Sequence, residues 1–179
     1  MKKLRTVTRY SRQLIWMHWV IAILVILLLS VSFFLEDFPK DLRPTAIMLH
    51  KSLGLTVLFL MLPRFYWLYK LGRPALPATL SPWEINLARM VQMAMYLFLI
   101  AMPSVGWLMS VFSDHIPVWF GLIPLPLPGV MPNAAWGQFL FQIHQSIAWI
   151  LIALIGLHIV GAFKHALIDK DKVMESMLP

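Results

Sequence analysis

The sequence predicts an all-α integral membrane protein: an antiparallel four-helix bundle with both termini cytoplasmic. Three observations predict it. The chain of 179 residues is 60% hydrophobic and 13% charged, with a mean hydropathy of +0.75, whereas a soluble domain carries about twice that charged fraction. Four apolar runs are each long enough to cross a hydrocarbon core of about 30 Å at about 1.5 Å per residue. Basic residues gather at the ends of those runs, mostly on one side. The length suits a single domain covering residues 1–179.

The first span, roughly residues 14–35, contains no Asp, Glu, Lys or Arg from Leu14 to Leu35. It is span-length and no small-residue cleavage site follows it, so it is expected to stay as an anchor rather than be removed as a signal. Asp37-Phe38-Pro39-Lys40 breaks the chain, and Pro44 suits the first turn of the next helix. The second span, 46–69, has Lys51 near its start and Arg64 near its end. Arg73-Pro74 through Pro82 reads as an extended loop before the third span, 85–111. From Pro117 to Pro132 five prolines and two glycines forbid a helix, and this stretch is expected to form an apolar cap at the membrane face. The fourth span, 134–163, closes a stretch without formal charge from His115 to Phe163. Pro63 and Pro103 fall inside spans, where membranes tolerate them as kinks.

Orientation follows from the flanks. Lys2, Lys3, Arg5, Arg9, Arg12, Arg64, Lys70, Arg73, Arg89, Lys164, Lys170 and Lys172 fall on one side, and Lys40, Arg43 and Lys51 on the other. The first side is expected to be cytoplasmic. The net charge of +7 therefore belongs to membrane flanks, and no nucleic-acid partner is expected. The chain has no cysteine, which excludes disulfides, thiolate metal sites, iron–sulfur clusters and covalently attached haem c.

Four histidines interrupt the apolar runs: His18, His50, His144 and His158. An ionisable group at membrane depth is a functional-site candidate by default. Counted along the spans, His18 and His158 share one depth, and His50 and His144 share the other. The two on the fourth span are fourteen residues apart, close to four turns, so they project from one face about 21 Å apart. Two readings compete: interhelical hydrogen-bond partners, or axial ligands of two low-spin b-type haems, one per leaflet. The matched depths and the absence of a carboxylate within the spans favour ligation. Zinc sites prefer three or four converging protein ligands, and the histidines come in twos. The residue four positions after each is small, Ala22, Gly54, Ala148 and Ala162, on the face where a porphyrin would lie.

Lys51 beside His50, Arg64 at the opposite end of the same helix, and Arg12 before His18 are candidate partners for haem propionates, with snorkelling to lipid headgroups as the alternative for Arg64 and Arg12. Lys164 and His165 close the fourth span, where an imidazole could hydrogen-bond a quinone carbonyl and pass it a proton. Tryptophans near span ends form an interfacial belt; Trp19 adjoins His18. The scattered methionines read as packing residues.

Tyr10-Ser11-Arg12 followed by His18-Trp19 begins a pattern that runs along most of the chain. Leu49-His50-Lys51-Ser52-Leu53-Gly54, His144 with His158 and Lys164-His165, and Ile168-Asp169-Lys170-Asp171-Lys172 continue it. In these pieces, which touch every span except the third, the chain resembles the prokaryotic cytochrome b561 family. The resemblance implies two haem b groups with bis-histidine iron, held by His18/His158 and His50/His144, with ubiquinone near His165, in a bacterial inner membrane. Some members carry a histidine in the third span where this chain has residues such as Gln92. One branch resembles superoxide oxidase, which implies superoxide as outer donor; Lys40, Arg43 and Lys51 could draw in a small anion. Lys51 and His165 are then expected to serve the two ends of the reaction. The alternatives are a generic electron carrier, a haem-bearing anchor subunit taking electrons from a partner dehydrogenase or hydrogenase docked on the apolar cap, and metal-ion transport.

Overall fold

Four helices carry the chain in a computed structural model that describes residues 9–75, 77 and 79–179. They are α1 (Arg12–Ser32), α2 (Arg43–Leu71), α3 (Pro82–Phe112) and α4 (Ala134–Lys164). Lys2, Lys3 and Arg5 of the basic arm lie outside the described residues. All four helices are long and apolar enough to cross a membrane. Large apolar side chains such as Trp16, Ile23, Leu62, Met93, Trp149 and Val160 face outward, as a helix exposed to lipid rather than water allows.

Polar caps set where three helices begin. The Ser11 hydroxyl accepts from Leu14 N at the start of α1, and Asn133 Oδ1 accepts from Trp136 N at 3.1 Å at the start of α4. At α3, Ser81 N donates to Glu84 Oε2 at 2.9 Å, a capping box that satisfies otherwise unpaired amides. Pro44 stands in the first turn of α2, and Pro63 and Pro103 lie inside α2 and α3. The first span ends at Ser32 rather than Leu35, because Phe33–Asp37 turn back toward α2. Arg43 holds that turn by donating to the carbonyls of Glu36 and Phe38.

Sequential helices pack on one another, α1 on α2, α2 on α3 and, most extensively, α3 on α4; α4 makes no comparable contact with α1 or α2. Ile21, Val25, Val57 and Met61 form a buried cluster at mid-depth, joined by Leu99 from α3 and Ile155 from α4. The first described residues, Arg9 and Tyr10, meet the C-terminal tail at one end of the bundle, here the terminal end. After α4 a π-helical turn, His165–Asp169, leads through Lys170 in a left-handed conformation to a tail that folds back across α1. Tyr10 N donates to Ser176 O at 3.4 Å, Trp19 Nε1 to Met177 O at 2.8 Å, and Arg9 to Leu178 O.

At the opposite, distal end, the proline-rich cap contains the one strand pairing among the described residues, β1 (Val118–Trp119) with β2 (Ile123–Pro124), antiparallel. Left-handed backbone at Phe120 and Gly121 makes the turn. The cap is bolted to the helices: Phe120 N donates to Ser52 Oγ at 2.8 Å, Trp119 Nε1 to Thr56 Oγ1 at 3.1 Å, and Trp107 Nε1 to Leu125 O at 2.8 Å. Ser52 is fully buried and also donates to Met48 O at 2.8 Å. Ser52→Ala should therefore remove about 1 kcal/mol of stability and raise protease cleavage between residues 113 and 133. Denaturation in detergent micelles with limited proteolysis checks both; unchanged cleavage would show that the cap is held by other contacts.

Candidate functional site

The structure brings together the histidines that depth-counting paired. The rings of His18 on α1 and His158 on α4 have centres 6.1 Å apart with planes at 64°. Those of His50 on α2 and His144 on α4 lie 6.5 Å apart at 70°. A ring nitrogen lies about 1 Å from its ring centre, so nitrogens within a pair come no closer than about 4 Å, beyond the roughly 3 Å of a hydrogen bond. A gap of that size would take one metal ion with two nitrogen bonds of about 2 Å each. Distance therefore sets aside a hydrogen bond between the two members of either pair.

Burial sharpens the point. Nδ1 of His50 and Nδ1 of His144 are both buried with no hydrogen-bond partner, a state that folded proteins seldom leave uncompensated. The Met102 carbonyl lies beside His144 but outside hydrogen-bonding geometry. Because α4 stands off from α1 and α2, the paired histidines face each other across gaps rather than across a packed seam. Two opposed imidazoles leave four equatorial positions for a macrocycle, so the donor sets fit haem b. The second position sought for a porphyrin face also fits: a Cβ on Gly54, one turn beyond His50, would meet nothing within 4 Å.

The sequence reading missed Gly106, the single glycine of α3. A Cβ there would stand 2.9 Å from His144 Cε1 and 3.2 Å from its Nδ1, so α3 supplies a notch into which the imidazole fits. An isolated glycine inside a span was the available signal. Also missed was the setting of Tyr96, over which both the Arg64 and Arg73 guanidinium groups sit, 5.6 and 5.8 Å from the ring centre.

The expected charged partners divide. Arg64 is buried, 7% exposed, and donates from Nη1 to Leu14 O at 3.1 Å, one turn before His18. Its charge reaches both His18 and His158. Lys51 instead donates from Nζ to His115 O at 3.3 Å, tying α2 to the loop after α3 beside the His50 pair. Arg12 is exposed at the start of α1, six residues before His18 and so about 120° round the helix from it. Trp19 packs edge-on to His18, ring centres 5.6 Å apart, while its indole N–H holds the C-terminal tail.

His165 stands in the π-helical turn with its Nδ1 2.8 Å from Asp171 Oδ2 and 3.3 Å from Asp169 Oδ2. Carboxylates accept only, so Nδ1 carries a proton and Nε2 is left for another partner. Lys164 binds Asp169 at 2.6 Å and Glu84 of α3 at 2.9 Å. His165, Asp169 and Asp171 gather their donor atoms within 4.8 Å, and Lys164 pairs with one of the two carboxylates, Asp169.

Comparison with known proteins finds relatives along nearly the whole chain. The sequence model of the family described as prokaryotic cytochrome b561 matches residues 9–179. The probable superoxide oxidase CybB of Yersinia pestis is 30% identical over 177 residues, covering 96% of each chain. Cytochrome b561 homolog 1 of Escherichia coli (strain K12) is 25% identical over 173 residues, 96% of this chain and 97% of that one. Cytochrome b561 homolog 2 of the same organism is 29% identical over 168 residues, 90% of this chain and 86% of that one.

Gly106→Ala should displace the His144 ring by several tenths of an ångström, since carbon atoms in contact prefer about 3.5–4.0 Å. Haem titration of the purified variant should show about tenfold weaker binding at one of two sites and normal binding at the other. Two unaltered sites would deny the notch a role.

Proposed function

The chain belongs to the prokaryotic cytochrome b561 family, and from that premise we propose that it carries electrons across the membrane from a donor at the distal end to ubiquinone at the terminal end. Haem-based electron transfer within a membrane comes with the family; the ligands, the direction and the two reactants are the proposal. The observation that carries it is the facing of two imidazole pairs, at 6.1 and 6.5 Å, at opposite ends of one bundle. His18 with His158, and His50 with His144, would each hold one haem b. Bound haem supplies a one-electron carrier whose iron alternates between ferric and ferrous.

The remaining steps fall to side chains. The excess of Lys and Arg at the terminal end argues for a cytoplasmic face there and a bacterial inner-membrane location. Lys51, with Lys40 and Arg43 on the same face, provides a positive field that would raise the encounter rate of a small anion with the His50–His144 end. Superoxide fits, and the name of the Yersinia pestis relative points the same way. Each superoxide would surrender one electron and leave as dioxygen. At the other end two electrons and two protons convert ubiquinone to ubiquinol. Asp171 and Asp169 hold Nδ1 of His165, which leaves Nε2 to meet a quinone carbonyl and to pass it a proton when the ring carries two. Protons reach it from water through the half-buried Asp171.

Two tests separate these claims. A pyridine haemochrome assay should count two haems per polypeptide, one in His158→Ala and two in His165→Ala; loss of both or neither in folded His158→Ala would refute the pairing. Stopped-flow mixing of the oxidised, haem-loaded protein with superoxide should reduce it, with a rate that falls severalfold as salt is raised or in Lys51→Gln. Reduction no faster than in superoxide-free buffer would remove superoxide as donor, and ubiquinol formation unchanged in His165→Ala would remove that residue from the quinone end.

A further inference from the structure

We propose that Arg64 and Arg73, set about the ring of Tyr96, form a two-guanidinium anion site at the terminal end that binds the propionates of the haem held by His18 and His158. This rests on the haem ligation proposed above, and goes beyond it by adding Arg73, Tyr96 and Tyr10 and by fixing which side of the macrocycle is anchored.

The argument begins from charge. Two guanidinium groups lie within 5.6 and 5.8 Å of one aromatic ring centre, and Arg64 is more than nine-tenths buried. Neither makes an ion pair among the described residues, where Lys164 and His165 take the carboxylates in salt bridges. Two like charges no more than about 11 Å apart at the edge of a low-dielectric bundle repel, and cation–π contact with Tyr96 offsets about 0.5–2 kcal/mol for each. The arrangement is left with an anion deficit. Arginine is also the side chain whose planar fork matches a carboxylate in two parallel hydrogen bonds. Nη1 of Arg64 is engaged by the Leu14 carbonyl, which directs the group rather than neutralising it.

Position selects the anion. Leu14 precedes His18 by one helical turn, and the Arg64 charge reaches both His18 and His158. The half-buried Tyr10 lies in the same field: burial and Tyr96 push its ionisation up, and Arg73 and Arg64 pull it down. It therefore stays a protonated donor that could complete a carboxylate's shell. The site thus lies on the α2–α3 side of the terminal pair, and Arg73, on the loop after α2, reaches it from the surface.

The test uses the full-length haem-loaded protein and does not depend on turnover. Arg73→Gln, on an exposed loop residue, should speed haem transfer to apomyoglobin from one of the two sites about tenfold and lower the midpoint potential of that haem, because the lost positive charge had favoured the reduced form. Arg64→Gln should act on the same haem. The decisive arm is reconstitution with haem dimethyl ester, which lacks propionate charge. There the wild type and Arg73→Gln should release haem equally fast. A difference that persists with the ester, and that varies with the anionic lipid content of the nanodisc, would assign the arginines to lipid phosphate and overturn the proposal. A change in the haem of His50 and His144, or in neither, would also overturn it. If instead only one haem binds and His158→Ala leaves it intact, the underlying ligation has failed rather than the anion site.

Discussion

An imidazole inside an apolar bundle needs something to bind, and four half-buried ones at two depths of one bundle constrain almost everything else in this protein. α4 bears two of the four, about four turns apart on one face, so it must present that face to α1 near one end and to α2 near the other. It cannot pack tightly against either and still leave the 6.1 and 6.5 Å separations between rings. The helix that secures α4 is α3, which carries no histidine and makes the most extensive contact in the bundle. Glu84 at the start of α3 reinforces that contact through Lys164, and Gly106 near its far end lets the His144 ring approach. α3 is thus a splint that holds α4 at the spacing the histidines require.

The two ends of the bundle are closed by different means. At the distal end the cap is fixed through Ser52 and Thr56, both on α2 within two turns of His50. At the terminal end the chain's last residues return to α1, where Trp19, Tyr10 and Arg9 hold them. At each end one of these contacts adjoins a paired histidine, Trp19 next to His18 and Ser52 two residues from His50, so each closure reaches the imidazoles of its own end.

Much of this was legible beforehand, for identifiable reasons. Spans are set by length and polarity, which are local; the caps at Ser11 and Ser81 moved the starts of α1 and α3 by two and three residues, and α4 begins after Asn133 as expected. Histidine pairing followed because four antiparallel helices convert position in sequence into depth. Gly106 was overlooked because its role depends on which way α3 turns toward α4, and one sequence contains no direct statement of that angle. Arg73 read as a loop cation because its relation to Tyr96 depends on how the loop leaves α2. The partnership of His165 with Asp169 and Asp171 needed the π-helical turn and the left-handed Lys170, neither of which has a strong local signature. For Arg12, closeness in sequence to His18 suggested a shared role, and helical rotation places the two about 120° apart on α1.

The asymmetry of charge between the ends bears on direction. Lys51, beside the His50–His144 pair, is half-exposed and already donates to a carbonyl; solvent and salt screen it within about 8–10 Å. Arg64, beside the His18–His158 pair, is buried, where the same charge acts through a lower effective dielectric. Under the proposed ligation, an added electron is therefore stabilised more at the terminal end than at the distal end, and Arg73 adds to the bias. Between them lies the apolar layer of Ile21, Val25, Val57 and Met61, which contains no charge to trap an electron in transit. The placement of one buried arginine would then make transfer toward the termini downhill, without any difference in the histidine ligands themselves.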